Sequence, residues 1–380
     1  MKEIYYIVGS LEVGGAERHL SQVLPALKAK GFDIKIIVLS NKALLAPIFE
    51  KAGIPVFIAP DIDFLPKIMR RPLSLFISIV RLVTSFFKNR TAVRHTFLPE
   101  AYLLTAFAAR LSFFKGVLIM SRRSLNNYQQ RRFVLGKLEK IFHRFTTFAL
   151  GNSNAVIQQL YEEGFSKEKV HLIYNGIKTS LFQNLPPKLE LRNVLGLDSE
   201  SLIFVIVANL IPYKGHIDLL NAFAIISHKL PENWQLLCVG KDSGILSGLK
   251  IKARDLGIEN HVRFLGSRTD IALLQSASDI GILCSHEEGF SNAILEAMAV
   301  GLPMVVTNVG GNAEAVQDKV TGLVVESKNP EHLSEALLTL SLSPEQRKIY
   351  GEAGKKRIYQ NFTLSQCVEQ YENFYKKLKK

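Results

Sequence analysis

Two α/β domains, each built on a parallel sheet, form the fold class that the sequence predicts. Three observations point there. The chain has 380 residues, beyond the size at which a single hydrophobic core usually keeps growing. Apolar, β-branched runs alternate with helical patterns from the first residues onward. Those runs are continuously apolar rather than alternating, as strands buried on both faces must be.

In chain order, IYYIVGS, AERHLSQVLPALKAKG and FDIKIIVLS read as strand, helix and strand with short joints, a parallel βαβ unit. The same rhythm returns in the second half, where SLIFVIVANL, WQLLCVGKD, HVRFLGS, IGILCS, PMVVTNV and TGLVVE read as buried strands. Between the halves lies TSLFQNLPPKLELRNVLGLD, in which Pro186-Pro187 can continue neither a helix nor a central strand, so it reads as the linker. From about Phe362 the tail is a helix pattern ending in KKLKK. These signals place one domain at 1–182, joined by a C-terminal helix over 363–380, and a second at 183–362.

Apolar residues make up 47% of the chain, enough for two packed cores and against disorder. Cys238, Cys284 and Cys367 are widely spaced, which suits a reducing compartment rather than a disulfide framework. The opening MKEIYYIVGS reads as a strand, not as a signal peptide. No run approaches the roughly 18 uncharged apolar residues of a spanning helix. The expected location is cytoplasmic, with a peripheral position on the inner face of the cell membrane left open by the charge. Residues 1–185 hold 26 Lys/Arg against 12 Asp/Glu, and 186–380 hold 21 against 22, so the whole net charge of +13 originates in the first half. Such a one-sided field attracts anionic headgroups, phosphorylated substrates or nucleic acid. Arg131, Arg132 and Phe133 join basic and aromatic character, but no nucleic-acid-binding module accompanies them, so nucleic acid is not expected as a partner. Within Leu73–Phe87, Ser74, Ser78, Arg81, Ser85 and Lys88 form one narrow polar stripe on an otherwise apolar helix. Two readings fit it: a core helix against the first sheet, or a helix in the membrane interface.

The chemistry concentrates in 279–316, DIGILCSHEEGFSNAILEAMAVGLPMVVTNVGGNAEAV. A strand ends near Ser285, a loop carries Glu287-Glu288-Gly289, and a helix starts after Ser291, a suitable N-cap. Gly301 and Pro303 end that helix. The first amides, of Asn292, Ala293 and Ile294, then offer an anion site at the carboxyl end of a strand. Glu288 and Glu296 stand eight positions apart, and a carboxylate accepts two hydroxyl hydrogen bonds, as a ribose diol or a sugar requires.

EGFSNAILEAMAVGLPMVV resembles the E-x7-E element of the retaining glycosyltransferases of family 4, which have the GT-B fold. GSLEVGGAERHL, GNSNAVIQQLYEEGFSKEKVHLIYNGI, VANLIPYKGHIDLLNAF and VGGNAEAV resemble further family elements, in the family's order over nearly the whole chain. The resemblance implies two Rossmann-like domains with parallel sheets facing across a cleft, and a C-terminal helix crossing back to the N-domain. It implies that Glu296 binds the ribose, Glu288 the transferred sugar and Lys214 the diphosphate. It assigns Gly14 and Gly15 to a loop that closes over the donor, and His95 to a substrate contact near the donor sugar. The commoner family pattern has an arginine five positions before the lysine, where this chain has Asn209. One phosphate cation is then either missing or supplied by another residue, such as Arg122 or Arg123, whose guanidinium groups suit phosphate. Asp61-Ile62-Asp63 is a D-x-D placed away from these elements and reads as an exposed turn. By the same resemblance no metal and no cofactor is required; the donor is a nucleotide-sugar, UDP-linked in preference to GDP-linked.

The expected activity is transfer of a sugar from that donor to a membrane-associated glycan or lipid-linked acceptor, as in bacterial surface polysaccharide synthesis. Two alternatives share the elements above. A nucleotide-sugar epimerase of the same fold would convert the donor without an acceptor, and a non-catalytic protein would only bind it.

Overall fold

The computed structural model describes residues 3–12, 14–64, 66–125 and 133–378. The chain divides into two compact units, residues 1–175 with 364–380, and residues 176–363.

In the first unit, β1 (Ile4–Val8), β2 (Ile34–Val38), β3 (Val56–Phe57), β4 (Val93–Phe97), β5 (Leu118–Arg122), β6 (Phe148–Gly151) and β7 (Val170–Leu172) build one sheet, in the order β3-β2-β1-β4-β5-β6-β7. Every pairing is parallel, with Ile4 of β1 opposite Ile34 on one side and Val93 on the other. The two-residue period of a strand sends Ile4, Tyr6 and Val8 to one face and Ile7 to the other. On the first face, helices Gly15–Ala29 and Leu364–Lys377 bury Leu20, Leu24, Val368 and Tyr371. On the second, helices Lys67–Lys88, Pro99–Leu111 and Asn154–Glu162 bury Leu82, Phe86, Tyr102 and Leu160.

The second unit carries β8 (Ile203–Val207), β9 (Gln235–Val239), β10 (Val262–Gly266), β11 (Ile280–Leu283), β12 (Met304–Thr307) and β13 (Gly322–Val325), ordered β10-β9-β8-β11-β12-β13 and all parallel. Each falls on one of the six apolar runs read as strands in that half. Trp234, the only tryptophan in the chain, stacks on Phe223 at 4.8 Å and on His261 at 4.4 Å between ring centroids. In both sheets the strand order reverses beside the first strand, between β1 and β4 and between β8 and β11. Loops diverge at such a reversal, and ligand sites form there at the carboxyl ends of the strands.

Two sequence expectations change in detail. Pro186-Pro187 is not the joint between units: Pro187 is the N-cap of helix Lys188–Val194, inside the second unit. The division falls at Asn175/Gly176, because Ile177 bridges to Thr363 and its amide donates to the Phe362 carbonyl, tying the start of the second unit to its end. The stretch Leu73–Phe87 lies in helix Lys67–Lys88 and packs on the sheet through Leu82 and Phe86. Its polar stripe turns inward at the middle: Ser78 Oγ donates to the Leu39 carbonyl (3.3 Å), and Arg81 donates to the carbonyls of Val38 (3.2 Å) and Phe57 (3.0 Å).

Candidate functional site

The reversal between β8 and β11 collects the charged residues singled out in the second half of the sequence. After β8 the chain makes a 3-10 turn, Pro212–Lys214, and Gly215 then adopts φ 74° before helix His216–Ile226. A side chain at Gly215 would be strained by that φ, and its Cβ would run into the Cys284 carbonyl oxygen. This close approach sets Lys214 beside the loop that leaves β11. The His286 amide donates to the Tyr213 carbonyl (2.7 Å), and the His286 ring pairs with Asp218 at 2.6 Å. Glu288 forms an ion pair with Lys214 and accepts from Ser285 Oγ at 2.9 Å. Lys214 and Glu288, 74 positions apart in sequence, are both mostly buried. Gly310, with φ 53°, lets the loop after β12 lie on the Glu288 carbonyl, and the Gly311 amide donates to the Gly289 carbonyl at 2.7 Å.

Helix Asn292–Ala299 begins where the sequence places it, with Ser291 at the N-cap and Gly301 just past the end at φ 84°. The Ser291 side chain, however, makes no cap hydrogen bond. This corrects the expectation of a serine cap: the helix start is not closed by a hydroxyl. Gln275 steadies it instead, donating to the Ala293 carbonyl at 3.2 Å. Asn292 and Ala293 are partly exposed and Ile294 is buried, while Glu296, one turn further on, is partly exposed. One carboxylate–ammonium pair, a second carboxylate and a helix N-terminus therefore share one loop-and-helix segment. That set can hold an anionic group and hydroxyl-bearing groups together.

Comparison with known proteins places this site in a family. Residues 187–357 match the model of glycosyl transferases group 1, and residues 13–181 match that of glycosyltransferase family 4. The chain belongs to glycosyltransferase family 4. Among relatives, it is 28% identical over 223 residues to N-acetyl-alpha-D-glucosaminyl L-malate synthase of Bacillus anthracis, a match covering 59% of this chain and 58% of that one. It is 24% identical to the capsular polysaccharide biosynthesis glycosyltransferase CapM of Staphylococcus aureus over 318 residues, covering 81% and 83%. The structure of Anabaena Alr3699/HepE in complex with UDP-glucose superimposes with a TM-score of 0.85 at 22% identity, over 99% of this chain and all of that one. The fold of this family 4 member is thus α/β GT-B, with the C-terminal helix returned to the first unit.

The remaining candidate residues divide sharply. Asn209 is exposed at the end of β8, where its Oδ1 accepts from the Lys241 amide at 3.2 Å, so the backbone of Lys241 lies beside the position where the commoner pattern has arginine. Gly14 is the N-cap and Gly15 the first residue of helix Gly15–Ala29. Among the described residues none would meet a Cβ at Gly15 within 4 Å. The Glu17 carboxylate folds back beside Gly14, and burial raises its pKa; no pattern in the sequence had singled it out.

His95 requires correction as a substrate contact. It is fully buried in β4, with Nδ1 paired to the Tyr375 hydroxyl (2.5 Å) and Nε2 to Ser121 Oγ (2.7 Å). Burial, then the charge of Arg123, hold its pKa well below the usual histidine value. Both ring nitrogens are occupied, and the residue joins helix Leu364–Lys377 to the sheet. Arg122 is likewise no phosphate ligand: it is buried between Glu139 (2.6 Å) and Glu163 (2.5 Å), and His143 pairs with Glu163 at 3.0 Å. Burial would raise the pKa of Glu163, but hydrogen bonds from His143 and Arg122 hold it at about 2. Arg123 donates to Asn175 and to the Tyr371 hydroxyl. Glu139, His143 and Glu163 were missed in sequence because they come from two separate segments, Glu139 and His143 from one helical stretch and Glu163 from the end of the next helix. Asp61 and Asp63 both accept from Asn41 Nδ2, at 3.1 and 3.2 Å, and Asp63 pairs with Arg70. Arg131 and Arg132 lie outside the described residues, as does the side chain of Phe133.

Proposed function

We propose that this chain is a retaining glycosyltransferase. It moves a sugar from a nucleotide-sugar, UDP-linked rather than GDP-linked, to a membrane-associated glycan or lipid-linked acceptor in surface polysaccharide synthesis. The observation that carries the reading is the Lys214–Glu288 pair at the β8/β11 reversal, in the loop that leads into helix Asn292–Ala299. Relatives support the finer points: Anabaena Alr3699/HepE was solved with UDP and with UDP-glucose, and CapM is named for capsular polysaccharide synthesis.

In this reading the donor exchanges places with the ion pair. The diphosphate draws the Lys214 ammonium from Glu288 and takes the first-turn amides of Asn292, Ala293 and Ile294. Glu288, released, accepts hydroxyl hydrogen bonds from the transferred sugar, and Glu296 those of the ribose. Lys241 supplies the phosphate charge that Asn209 cannot. As the bond from the anomeric carbon to the phosphate oxygen breaks, negative charge grows on the leaving diphosphate and Lys214 stabilises it. The acceptor hydroxyl oxygen bonds to the anomeric carbon on the same face, and its proton passes to the leaving phosphate oxygen. His95 takes no part in these contacts; it holds the end of β4 in place.

The test is a thermal-shift screen against UDP, GDP, ADP and their sugars, followed by donor hydrolysis. A ligand at a hundred times its Kd stabilises by about 2.7 kcal/mol, so UDP and a UDP-sugar should raise the melting temperature while GDP does not. Slow release of UDP should vanish in Glu288→Ala. The reading is lost if no nucleotide shifts the melting point, and an epimerase replaces it if the donor sugar is inverted with no transfer.

A further inference from the structure

Helix Lys67–Lys88 is built the wrong way round for a helix that only faces water. Its polar side chains Ser78 and Arg81 point at the sheet and bond strand carbonyls, as described above. Met69, Phe76, Val80 and Phe87, at i, i+7, i+11 and i+18, fall on one line along the opposite side. All four are exposed, Phe76 to 64% of its free surface, and Ile68 beside them to 85%. Water on this face meets large apolar side chains along about the whole length of the helix. At the far end the arrangement is held rigidly. Arg94, buried in β4, donates to the carbonyls of Ser85 (2.8 Å) and Asn89 (3.1 Å) and stacks 4.0 Å from the Tyr5 ring.

The apolar line does not stand alone. Helix Pro99–Leu111 packs beside Lys67–Lys88 on the same face of the sheet. It ends in exposed Leu111, followed by Phe113, which is exposed to 73%. Cations border these rings: Arg90 lies 5.2 Å from Phe87, and Arg110 lies 5.8 Å from Phe113 and 6.0 Å from Phe145. Between Phe64 and Leu138 the sequence has 14 Lys/Arg and a single acidic residue, Glu100. No helix among the described residues is long and apolar enough to cross a membrane.

We propose that this face, the outer side of helix Lys67–Lys88 with the end of helix Pro99–Leu111, docks flat on an anionic lipid surface. Phe76, Val80, Phe87 and Phe113 enter the headgroup–acyl boundary, and Lys88, Arg90 and Arg110 engage the phosphates. Charge complementarity selects this occupant. An apolar patch set in so one-sided a positive field suits a negatively charged surface with an apolar interior, whereas a second copy would bring the same positive charge against it. The proposal deepens the reading of a membrane-associated acceptor and rests on it for its purpose, not for its physics.

The test uses the full chain and vesicles of phosphatidylcholine with and without phosphatidylglycerol. Wild type should cosediment only with the anionic vesicles, and rising salt should weaken but not abolish binding. The triple substitution Phe76→Ser, Val80→Ser, Phe87→Ser should weaken it by about tenfold or more, since apolar burial is lost. Those positions are exposed, so the melting temperature should hold. As a second readout, the emission of Val80→Trp should shift to the blue on adding anionic vesicles. Absence of cosedimentation, or equal binding by the triple variant, overturns the docking surface. So does a wild-type dimer in sedimentation velocity that the triple variant abolishes, which would make the face a contact between copies. UDP-dependent stabilisation of the same samples separates the two ideas: if it persists while vesicle binding fails, only the docking surface is lost.

Discussion

The two units share a strand order around their reversal points, β2-β1-β4 in one and β9-β8-β11 in the other, yet they fill those points in opposite ways. At β8/β11 the groups are charged and partly open, with Lys214 on Glu288 and His286 on Asp218. On the face of the first sheet, at the middle of β1 and β4, the polar groups form a closed network, in which Tyr6 meets Tyr375, Tyr375 meets His95, and His95 meets Ser121. Helix Leu364–Lys377 supplies the lid. Topology alone nominates a site at each reversal, and the charged side chains collect at β8/β11. The first unit spends its charge elsewhere, in the buried Arg122 cluster and on its outer helices.

The largest effect should come from the first unit's interior. Arg122→Ala leaves Glu139 and Glu163 buried without their guanidinium partner, and stability should fall by about 3–5 kcal/mol in a denaturant titration. A loss under 1 kcal/mol would mean that the cluster is solvated and the contrast between the units overstated. In the second unit, Lys214→Ala should cost about a hundred- to a thousandfold in transfer rate, the scale of one charge-stabilising donor, while the protein stays folded. Unchanged turnover would remove Lys214 from the chemistry.

A pH experiment sharpens the comparison. His216, buried beside Lys214, has its pKa lowered from 6.5 to about 4 by burial and then by the lysine charge. The unfolded chain binds a proton there between those values and the folded one does not. His216 stability is thus fully present above pH 6.5 and lost as pH falls toward 4, by up to about 3 kcal/mol. Among the described residues neither ring nitrogen of His216 has a hydrogen-bond partner, so His216→Phe should flatten the pH dependence in this window without a comparable loss at pH 8. A slope identical to wild type would contradict the placement. The smallest effect expected is that of Asn209→Arg, which adds a cation at the end of β8. Donor affinity should rise severalfold by titration calorimetry, and no change would indicate that Lys241 already suffices.

Much of this was legible in the residues themselves. All six strands of the second unit show as apolar runs, and the helix at Asn292–Ala299 declares its start and stop through Ser291 and Gly301, because periodicity and capping act over a few neighbouring positions. Family resemblance added Lys214, Glu288 and Glu296. What the residues could not show is which side chains meet. The resemblance makes His95 a substrate contact, and the guanidinium chemistry of Arg122 suits a phosphate, because neither signal carries the buried partners of these side chains. Those partners, Tyr375 for one and Glu139 and Glu163 for the other, lie 280 positions away in the first case and 17 and 41 in the second.

The sequence by itself determined two parallel α/β units, the strands of the second, and the start of helix Asn292–Ala299. Tertiary structure alone decided that Lys214 closes on Glu288, that His95 and Arg122 are interior, and that helix Lys67–Lys88 turns Ser78 and Arg81 in and Phe76 and Phe87 out. The physical reason is range. Strand and helix patterns follow from local backbone sterics and spacing, whereas burial and pairing depend on which distant segments the sheet order brings together.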